Sequence, residues 1–186
     1  KLLTIFYFIA IPYIFFYWSW GFNYSRANPE LIKYTDNELI EVTEYYLNEV
    51  NNLQHSITNN KDEPVKVEDK FSELRKKTVN SLSATTKQFQ IKNLTNHPIK
   101  ISLFSTLLSY MGFSGYINPF TLEAHINKNI PKISYPFTMS HEVAHQYGIS
   151  FENEANFFGL KNTLNSNDKV INYSGKLMAL QYLLYD

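Results

Sequence analysis

Cysteine is absent from this chain of 186 residues. The chain can therefore form neither a disulfide framework nor a zinc site with thiolate ligands. It also lacks a charge excess, because 17 Lys and Arg residues balance 17 Asp and Glu residues to a net charge of zero. Without a basic surplus to neutralise phosphates, a nucleic-acid partner has no electrostatic support, and we expect none.

Charged residues are also missing from the segment between Leu2 and Phe22. At about 1.5 Å per residue, a helix over this segment is roughly 31 Å long, close to the hydrocarbon thickness of a bilayer. The apolar run is longer than that of a signal peptide and has no small-residue cleavage site. We therefore predict a transmembrane helix over residues 1–24 that contacts membrane lipid, in preference to a buried core helix. Residues typical of an interfacial aromatic belt follow at one end: Trp18, Trp20, Tyr24 and Arg26.

The remaining residues, 25–186, are enough for one globular domain. Thr35 and Glu38 match a capping box, which predicts the start of an amphipathic helix that continues to about Ile57. A second amphipathic helix is predicted from about Glu68 to Thr86. Because the chain stops inside an apolar helical pattern, we expect it to be a fragment of a longer protein.

Two shorter segments precede the stretch that contains the candidate metal ligands and the candidate catalytic residue. The apolar run from Ile101 to Tyr110 predicts a short helix. Residues Leu122 to Asn127 alternate apolar and polar side chains, which predicts a half-exposed edge strand. The pattern as a whole predicts an α+β fold, mainly helical, with a small sheet before the next helix.

The stretch from Ser140 to Gly148, SHEVAHQYG, contains the spacing His-Glu-x-x-His. Residues four apart lie on one face of a helix, so His141 and His145 can bind one Zn²⁺ together. Glu142 is then placed to accept a proton from a water on the metal. The alternative is a chance motif in a solvated helix, which the uncharged residues between the two histidines disfavour.

A third ligand is expected from the helix predicted after Gly148, which Ser150 would cap. Glu152 and Glu154 point about 200° apart on this helix, so only one of them can face the metal. We favour Glu152, because it shares its face with small residues that allow close helix packing. Asn156, on that same face, is predicted to orient a ligand imidazole. Glu154 stays open as the alternative ligand.

These residues resemble the gluzincins, thermolysin-like zinc peptidases that hold zinc with two histidines and one glutamate. In several of them the helix with the glutamate reads Glu-x-x-Ala-Asp/Asn, which falls here on Glu152, Ala155 and Asn156. The resemblance implies a zincin-like domain over residues 25–186 and favours Glu152. Six residues separate His145 from Glu152, fewer than is usual in thermolysin-like enzymes.

The chain also resembles an uncharacterised bacterial family of membrane-anchored proteins with zinc-peptidase features. That resemblance covers nearly the whole chain and implies a location in the bacterial inner membrane, with one or a few membrane passes. The residues that carry it, besides the motif itself, are Trp20, Gly21, Asn23, Tyr24, Ser114, Gly115, Pro119, Phe120 and Thr121.

In zincins an edge strand before the motif helix lines the cleft and pairs with extended substrate. The strand near residues 123–127 is the candidate, and His125 is predicted to face the substrate. Tyr173 is a second candidate for stabilising the oxyanion. A surface histidine and a packing tyrosine are the simpler alternatives, and Tyr116 and Asn118 are weaker candidates.

The sequence therefore predicts a membrane-anchored zinc metallopeptidase that hydrolyses a peptide or protein substrate. Its zinc ligands would be His141, His145 and Glu152, and its general base would be Glu142. The alternatives are a zinc-binding membrane sensor or scaffold without catalysis, a metal-free module with a chance motif, and an enzyme acting on a non-peptide amide.

Overall fold

The structure is a computed structural model that describes residues 1–21 and 33–186, with the backbone alone over residues 16–21. Within these ranges the chain is mainly helical, with one small sheet, as the α+β prediction required. The helices are α1 Leu2–Gly21, α2 Asp36–Thr58, α3 Phe71–Asn80, α4 Leu82–Gln88, α5 Ser105–Met111, α6 Tyr135–Gln146, α7 Glu152–Leu164 and α8 Lys169–Tyr185. The strands are β1 Ile99–Ile101, β2 Gly115–Ile117 and β3 Ala124–Ile126.

The predicted helix of the apolar N-terminus is present as α1, and Pro12 lies inside it. Its large apolar side chains are exposed wherever they are described. Among the described residues, no helix has both the length and the apolar character needed to cross a membrane. The predicted aromatic belt lies outside the described side chains: Trp18, Trp20, Tyr24 and Arg26.

The capping box predicted for α2 is confirmed. The backbone N–H of Thr35 donates to Glu38 Oε2 at 2.7 Å, and the N–H of Glu38 donates to Thr35 Oγ1 at 3.4 Å. The helix ends at Asn59, which adopts the left-handed conformation (φ 56°). Its apolar stripe packs against α8.

The single helix predicted from about Glu68 to Thr86 is two helices, α3 and α4, that meet at Ser81. The hydroxyl of Ser81 donates to the carbonyl of Thr78 at 2.8 Å. Such a bond between side chain and backbone competes with the helical pattern. The break lets both Leu74 and Leu82 enter the core with almost no exposure.

The sheet has the strand order β1-β3-β2, with β1 parallel and β2 antiparallel to β3. The predicted strand is therefore the central one, and the expectation that it forms an edge is wrong. Neither neighbouring strand was predicted. The predicted helix over Ile101–Tyr110 is also shorter, since Ile101 belongs to β1 and α5 begins at Ser105.

The main core lies between the sheet and the layer formed by α6 and α7. Apolar side chains of β1, β3 and α6 meet there with those of α7. The fully buried members include Ile99, Ile126, Met139, Val143 and Phe158. Helix α6 is buried along almost its whole length, so the side chains that it carries toward a cavity are held by packing on the other sides.

Candidate metal and catalytic site

His141 and His145 project from one face of α6, as their spacing predicts. Their Nε2 atoms lie 3.2 Å apart, and their rings meet edge to face with centroids 4.9 Å apart. Four residues make slightly more than one helical turn, so the two rings stand side by side. The sequence therefore places two imidazole nitrogens where one metal ion could bind both.

Glu152, the first residue of α7, completes the group. Its Oε2 lies 3.2 Å from His141 Nε2, and its Oε1 lies 3.6 Å from His145 Nε2. One ligand atom from each of the three residues lies within 4.8 Å of the others, which is compatible with a shared metal ion. Glu152, predicted from helix packing, is thus brought to both histidines.

The short link between the two helices explains how six intervening residues suffice. Gly148 adopts the left-handed conformation with φ 79°. The N–H of Ile149 returns to the carbonyl of Ala144 at 3.1 Å, and the N–H of Gly148 returns to His145 at 2.9 Å. This is the helix-ending pattern that a glycine after the last turn favours. It brings the start of α7 back beside the end of α6.

Ser150 was predicted to cap α7, and this prediction is wrong. The N-cap residue is Phe151, which makes no side-chain capping bond. Ser150 is buried, and its Oγ has no hydrogen-bond partner. The turn therefore adds one more residue than predicted before the helix begins.

Glu154 lies on a different side of α7 and is not part of the three-residue group. Its side chain is buried, whereas the side chain of Glu152 is 73% exposed. The two acids differ because two residues along a helix rotate the side chain by about 200°. The geometry separates the two candidates and brings only Glu152 to the histidines.

The ring of His145 is oriented by the backbone. Its Nδ1 lies 2.6 Å from the carbonyl oxygen of Ile149, and a carbonyl can only accept, so Nδ1 carries the proton. The other nitrogen, Nε2, then presents its lone pair toward His141 and Glu152. A hydrogen bond of this kind commonly fixes the tautomer of a metal-binding histidine.

The ring of His141 lacks the hydrogen bond at Nδ1 that orients the ring of His145. The Nδ1 atom of His141 is buried and has no hydrogen-bond partner. Burial lowers the pKa of His141, but Glu152, Glu142 and Asn156 outweigh burial, so that the net pKa is raised. Asn156, which was predicted to orient an imidazole, lines the same cavity, but His141 Nδ1 is left without a hydrogen bond.

Electrostatics distinguish the other two members of the group. Burial lowers the pKa of His145, with a further lowering by His141. The hydrogen bond from His141 lowers the pKa of Glu152, which keeps this carboxyl ionised. The lowered pKa values of His145 and Glu152 favour a neutral imidazole and an ionised carboxylate, the forms of these two groups that bind a divalent metal.

Glu142 is the most unusual group at the site. Only 4% of the residue is exposed, and its Oε2 has no hydrogen-bond partner. Burial raises the pKa of this carboxyl to about 7; His141 opposes the rise and Glu152 adds to it. A carboxyl with a pKa near neutrality can both accept and release a proton.

Strand β2 approaches Glu142 so closely that any side chain at residue 115 would meet its carboxyl. A Cβ atom on Gly115 would lie 2.7 Å from Glu142 Oε1 and 3.0 Å from the carbonyl oxygen of His125. The missing side chain therefore makes room for the carboxylate.

A cavity of about 930 Å³ opens over these groups. Its walls come from residues 112–117, the face of α6 that carries His141, the first two turns of α7 and the last turns of α8. His141, Glu142, His145 and Glu152 all line it. The site thus combines three possible metal ligands, one buried acid and space for a substrate.

His125 is not among the residues that line this cavity, and its predicted role toward the substrate stays a prediction. Alternation along β3 turns His125 away from the side of Ala124 and Ile126, which enter the core. Its ring stacks on Tyr116 with centroids 4.9 Å apart, and both ring nitrogens are buried without a hydrogen bond. Burial lowers the pKa of His125, although Glu123 opposes this effect.

Tyr173 is also outside the cavity, and burial raises its pKa. A different tyrosine of α8, Tyr182, lines the cavity instead, and its pKa is raised by burial and by the charge of Glu152. No local signal distinguishes Tyr182 among 14 tyrosines.

Of the weaker candidates, Tyr116 lines the cavity, whereas Asn118 accepts from the N–H groups of Phe120 and Thr121 in a turn.

Phe137 lines the cavity as well and was missed, although the sequence held a signal for it. It lies four residues before His141 on α6, so helical periodicity places it on the same face. Its ring centroid is 6.3 Å from that of His141 and 6.3 Å from that of Tyr182.

Comparison with known proteins gives one family match. No curated protein matches the chain, and no solved structure matches it. One family model, described as "Protein of unknown function (DUF3810)", matches residues 1–186. Because this match covers the full sequence, the chain belongs to the DUF3810 family of proteins of unknown function.

Proposed function

We propose that this protein is a zinc metallopeptidase of the gluzincin type, with His141, His145 and Glu152 as metal ligands and Glu142 as general base. The observation that carries the proposal is the buried carboxyl of Glu142, whose Oε2 has no hydrogen-bond partner, beside three convergent ligand atoms. Chance proximity of two histidines does not account for a buried acid with an oxygen left unsatisfied, since such a group is costly unless it has a role.

The donor set fits a catalytic zinc ion. Two imidazole nitrogens and one carboxylate are a known ligand set for such ions, and three protein ligands leave a coordination position open. His145 presents Nε2 because its Nδ1 donates to the backbone. An acid beside the ligands also favours a catalytic site over a structural one, which usually fills all four positions with protein.

A bound zinc ion would supply Lewis acidity, which makes water a stronger acid and polarises a carbonyl group. Glu142 would take a proton from water as the water oxygen bonds the carbonyl carbon. The C–N bond then breaks, and the same carboxyl delivers its proton to the leaving nitrogen.

The strand that lines the cavity gives an extended substrate a place to pair. Asn118 donates to Glu123 and Asn127 donates to Ser114, so the backbones of Ser114 and Asn118 face β3. Antiparallel strands alternate, so the backbone groups of Gly115 and Ile117 point to the free edge. A peptide or protein substrate could add to β2 there, in place of the predicted edge near residue 125.

The location at a bacterial inner membrane, through one or a few spanning helices that contact lipid, is also part of this proposal. It is supported by the uncharged run from Leu2 to Phe22 and by the exposure of the described apolar side chains of α1. Retention of the full chain in membrane pellets after alkaline carbonate washing tests this part. Release into the supernatant would remove the membrane anchor from the proposal.

The metal site is tested by elemental analysis of the purified full chain after zinc reconstitution. We expect about one zinc in the wild type and its loss in His145→Ala and Glu152→Ala. Asn153→Ala is the matched control, because Asn153 is exposed in the same turn of α7 and is outside the ligand group. A wild type without zinc overturns the proposal, and zinc that persists in Glu152→Ala removes Glu152 from the ligand set.

Hydrolysis of an unfolded protein such as casein by the zinc-loaded wild type tests the activity. Bound zinc without hydrolysis of casein or of peptides would favour the alternative of a sensor or scaffold that binds zinc without catalysis.

A further inference from the structure

Helix α5 turns its serine side chains toward the protein and most of its large apolar side chains outward. The hydroxyl of Ser105 accepts from the backbone N–H of Lys128 at 3.0 Å, and the hydroxyl of Ser109 accepts from the side-chain amide of Asn127 at 3.1 Å. Leu108 is buried beside them. A surface helix in water normally does the reverse, with its apolar stripe inward and its polar residues outward.

The outward side chains of α5 and of its two flanking turns form one surface, the α5 face. Its members are Leu103, Phe104, Leu107, Tyr110, Met111 and Phe113. Each of them is at least 51% exposed, and Leu103 reaches 96%. Leu107 lies one helical turn from Leu103 and one turn from Tyr110, so it marks the middle of the face. A contiguous apolar surface of this kind indicates contact with another apolar body.

The stretch of sequence that contains the α5 face carries no charge. None of the 22 residues from Ile101 to Leu122 is charged. The face also offers few hydrogen-bonding groups, because Ser105 and Ser109 are turned inward. A protein interface normally has a polar rim and roughly one hydrogen bond per 100–200 Å². The α5 face therefore fits hydrocarbon better than it fits a protein partner.

Two further features favour a lipid bilayer as the body that covers this face. The chain has one other uncharged run of such length, which includes Leu2 to Phe22, and the described apolar side chains of α1 in that run are exposed. The proposed function places α1 in a bilayer, which brings a membrane surface close to the rest of the chain. Lys128 is exposed beside the first turn of α5, where its cation could meet the phosphate of a lipid headgroup.

From these observations, and resting on the membrane location in the proposed function, we infer that the α5 face is a membrane-docking surface. It enters the boundary between the headgroups and the hydrocarbon of a bilayer. The insertion is shallow, because α5 is short and its inner side is bonded to Asn127 and Lys128. Phe113 belongs both to the α5 face and to the cavity lining, so docking brings that wall of the cavity to the membrane surface.

The absence of cysteine allows a test in the full chain. Leu107→Cys, labelled with a nitrobenzoxadiazole dye, reports on the middle of the α5 face in vesicles of phosphatidylcholine with about one quarter phosphatidylglycerol. We expect lipids brominated near the headgroup to quench this dye more than lipids brominated at the chain end, because such faces insert about 5–10 Å. The same dye at Ser83→Cys, an exposed position of α4, should be quenched little. No quenching at Leu107→Cys, or equal quenching at both positions, overturns the inference.

A pair of variants tests the face itself. Phe104→Glu, made in the chain labelled at Leu107→Cys, places a charge in the face and should lower the bromine quenching by about half or more. An acid at the start of a helix is favourable, so the fold should be retained, which circular dichroism checks. Phe120→Glu is the matched control, because Phe120 is also exposed but follows Ile117, at the end of the sheet away from α5. Equal losses of quenching in the two variants contradict the inference.

The alkaline carbonate wash separates this inference from the proposed membrane anchor. Retention in the pellet without quenching at Leu107→Cys overturns the docking face and leaves the anchor intact. Release by the wash, combined with quenching on vesicles, supports the docking face and removes only the anchor. A dye that is shielded from aqueous iodide but not quenched by brominated lipid is covered by protein, either a partner or a second copy, and this result also overturns the inference.

Discussion

Two buried polar clusters lie along α6 and α7, and they differ in whether their atoms have partners. Around Asn162, the side-chain amide donates to Ser140 Oγ at 2.8 Å and to the carbonyl of Thr78 at 3.2 Å, and its oxygen accepts from Thr85 at 3.2 Å. On the cavity side, Glu142 Oε2 and His141 Nδ1 have no partner. Satisfied polar groups specify packing, whereas unsatisfied ones beside a cavity indicate a ligand.

The difference between the clusters shows which residues serve the fold and which serve the site. Ser140 and His141 are neighbours in sequence, yet Ser140 turns toward Asn162 and His141 turns toward the cavity. One helix thus carries a structural face and a chemical face. Substitutions in the two clusters should separate in their effects on stability and on activity.

The largest effect is expected from Glu142→Gln. Turnover should fall by about 10³-fold, because the amide cannot accept the proton. The zinc content should stay unchanged, and the free energy of unfolding should stay the same or rise, because burial of the ionised carboxyl is costly and Glu142 Oε2 has no hydrogen bond to lose. Kinetics, elemental analysis and urea unfolding measure the three quantities. A strong loss of stability would show that this cluster is structural after all.

The opposite pattern is expected from Asn162→Ala. Removal of three buried hydrogen bonds should lower the free energy of unfolding by about 2–4 kcal/mol. At a temperature where the variant is still folded, its zinc stoichiometry should match that of the wild type. Urea unfolding with elemental analysis of the folded fraction tests this, and a loss of zinc without a loss of stability would contradict it.

A pair of glycine substitutions sharpens the comparison. In Gly115→Ala the new methyl group meets Glu142, so kcat should fall by about 10-fold while zinc remains bound. In Gly175→Ala the new methyl group meets the side chain of Thr163 in the α7–α8 interface, so stability should fall and kcat should be retained. Equal losses of kcat in the two variants would show that the effect is general and not specific to Glu142.

The smallest effect concerns the pH dependence of stability at His97, outside the cavity. Burial lowers the pKa of His97 in the folded protein, and its Nε2 lies 2.6 Å from the hydroxyl of Tyr147. A lowered pKa in the folded protein means that the fold favours the neutral His97 ring. The stability that comes from this preference is complete above about pH 6.5, the pKa of histidine in the unfolded chain. It is lost as the pH falls from there through the pKa of His97 in the folded protein. His97→Gln should flatten the acid side of the stability profile.

Urea unfolding between pH 7.5 and pH 5 measures that profile. His55→Gln is the matched control, because it removes an exposed histidine from α2. If both variants flatten the acid side equally, burial of His97 is not the cause.

Much of the ligand group was predictable because it depends on local spacing. The positions of His141 and His145 follow from helix periodicity, and that of Glu152 follows from its small-residue face. The start of α2 followed from its capping box in the same way. These features need only the residues of one or two adjacent turns.

The rest of the cavity could not be predicted, because it depends on how distant segments pack. Strand β2 has three residues and no strong alternation, so its place at the sheet edge and the contact of Gly115 with Glu142 appear only in the fold. Alternation identifies two faces of the strand around His125 without showing which one meets α6, so the position of this ring relative to the cavity could not be predicted. Tyr182 reaches the cavity only through the packing of α8 on α6.

The three possible ligands all lie within twelve consecutive residues, from His141 to Glu152, on two helices joined by a tight turn. Closing so short a loop costs little chain entropy, so the α6–α7 hairpin can bring the ligands together before distant segments dock. The walls that would select a substrate come from segments far away in the sequence. Metal binding and substrate selection therefore depend on different steps of folding. A variant that weakens the packing of β2 or α8 should lose selectivity among substrates while it still binds the metal ion.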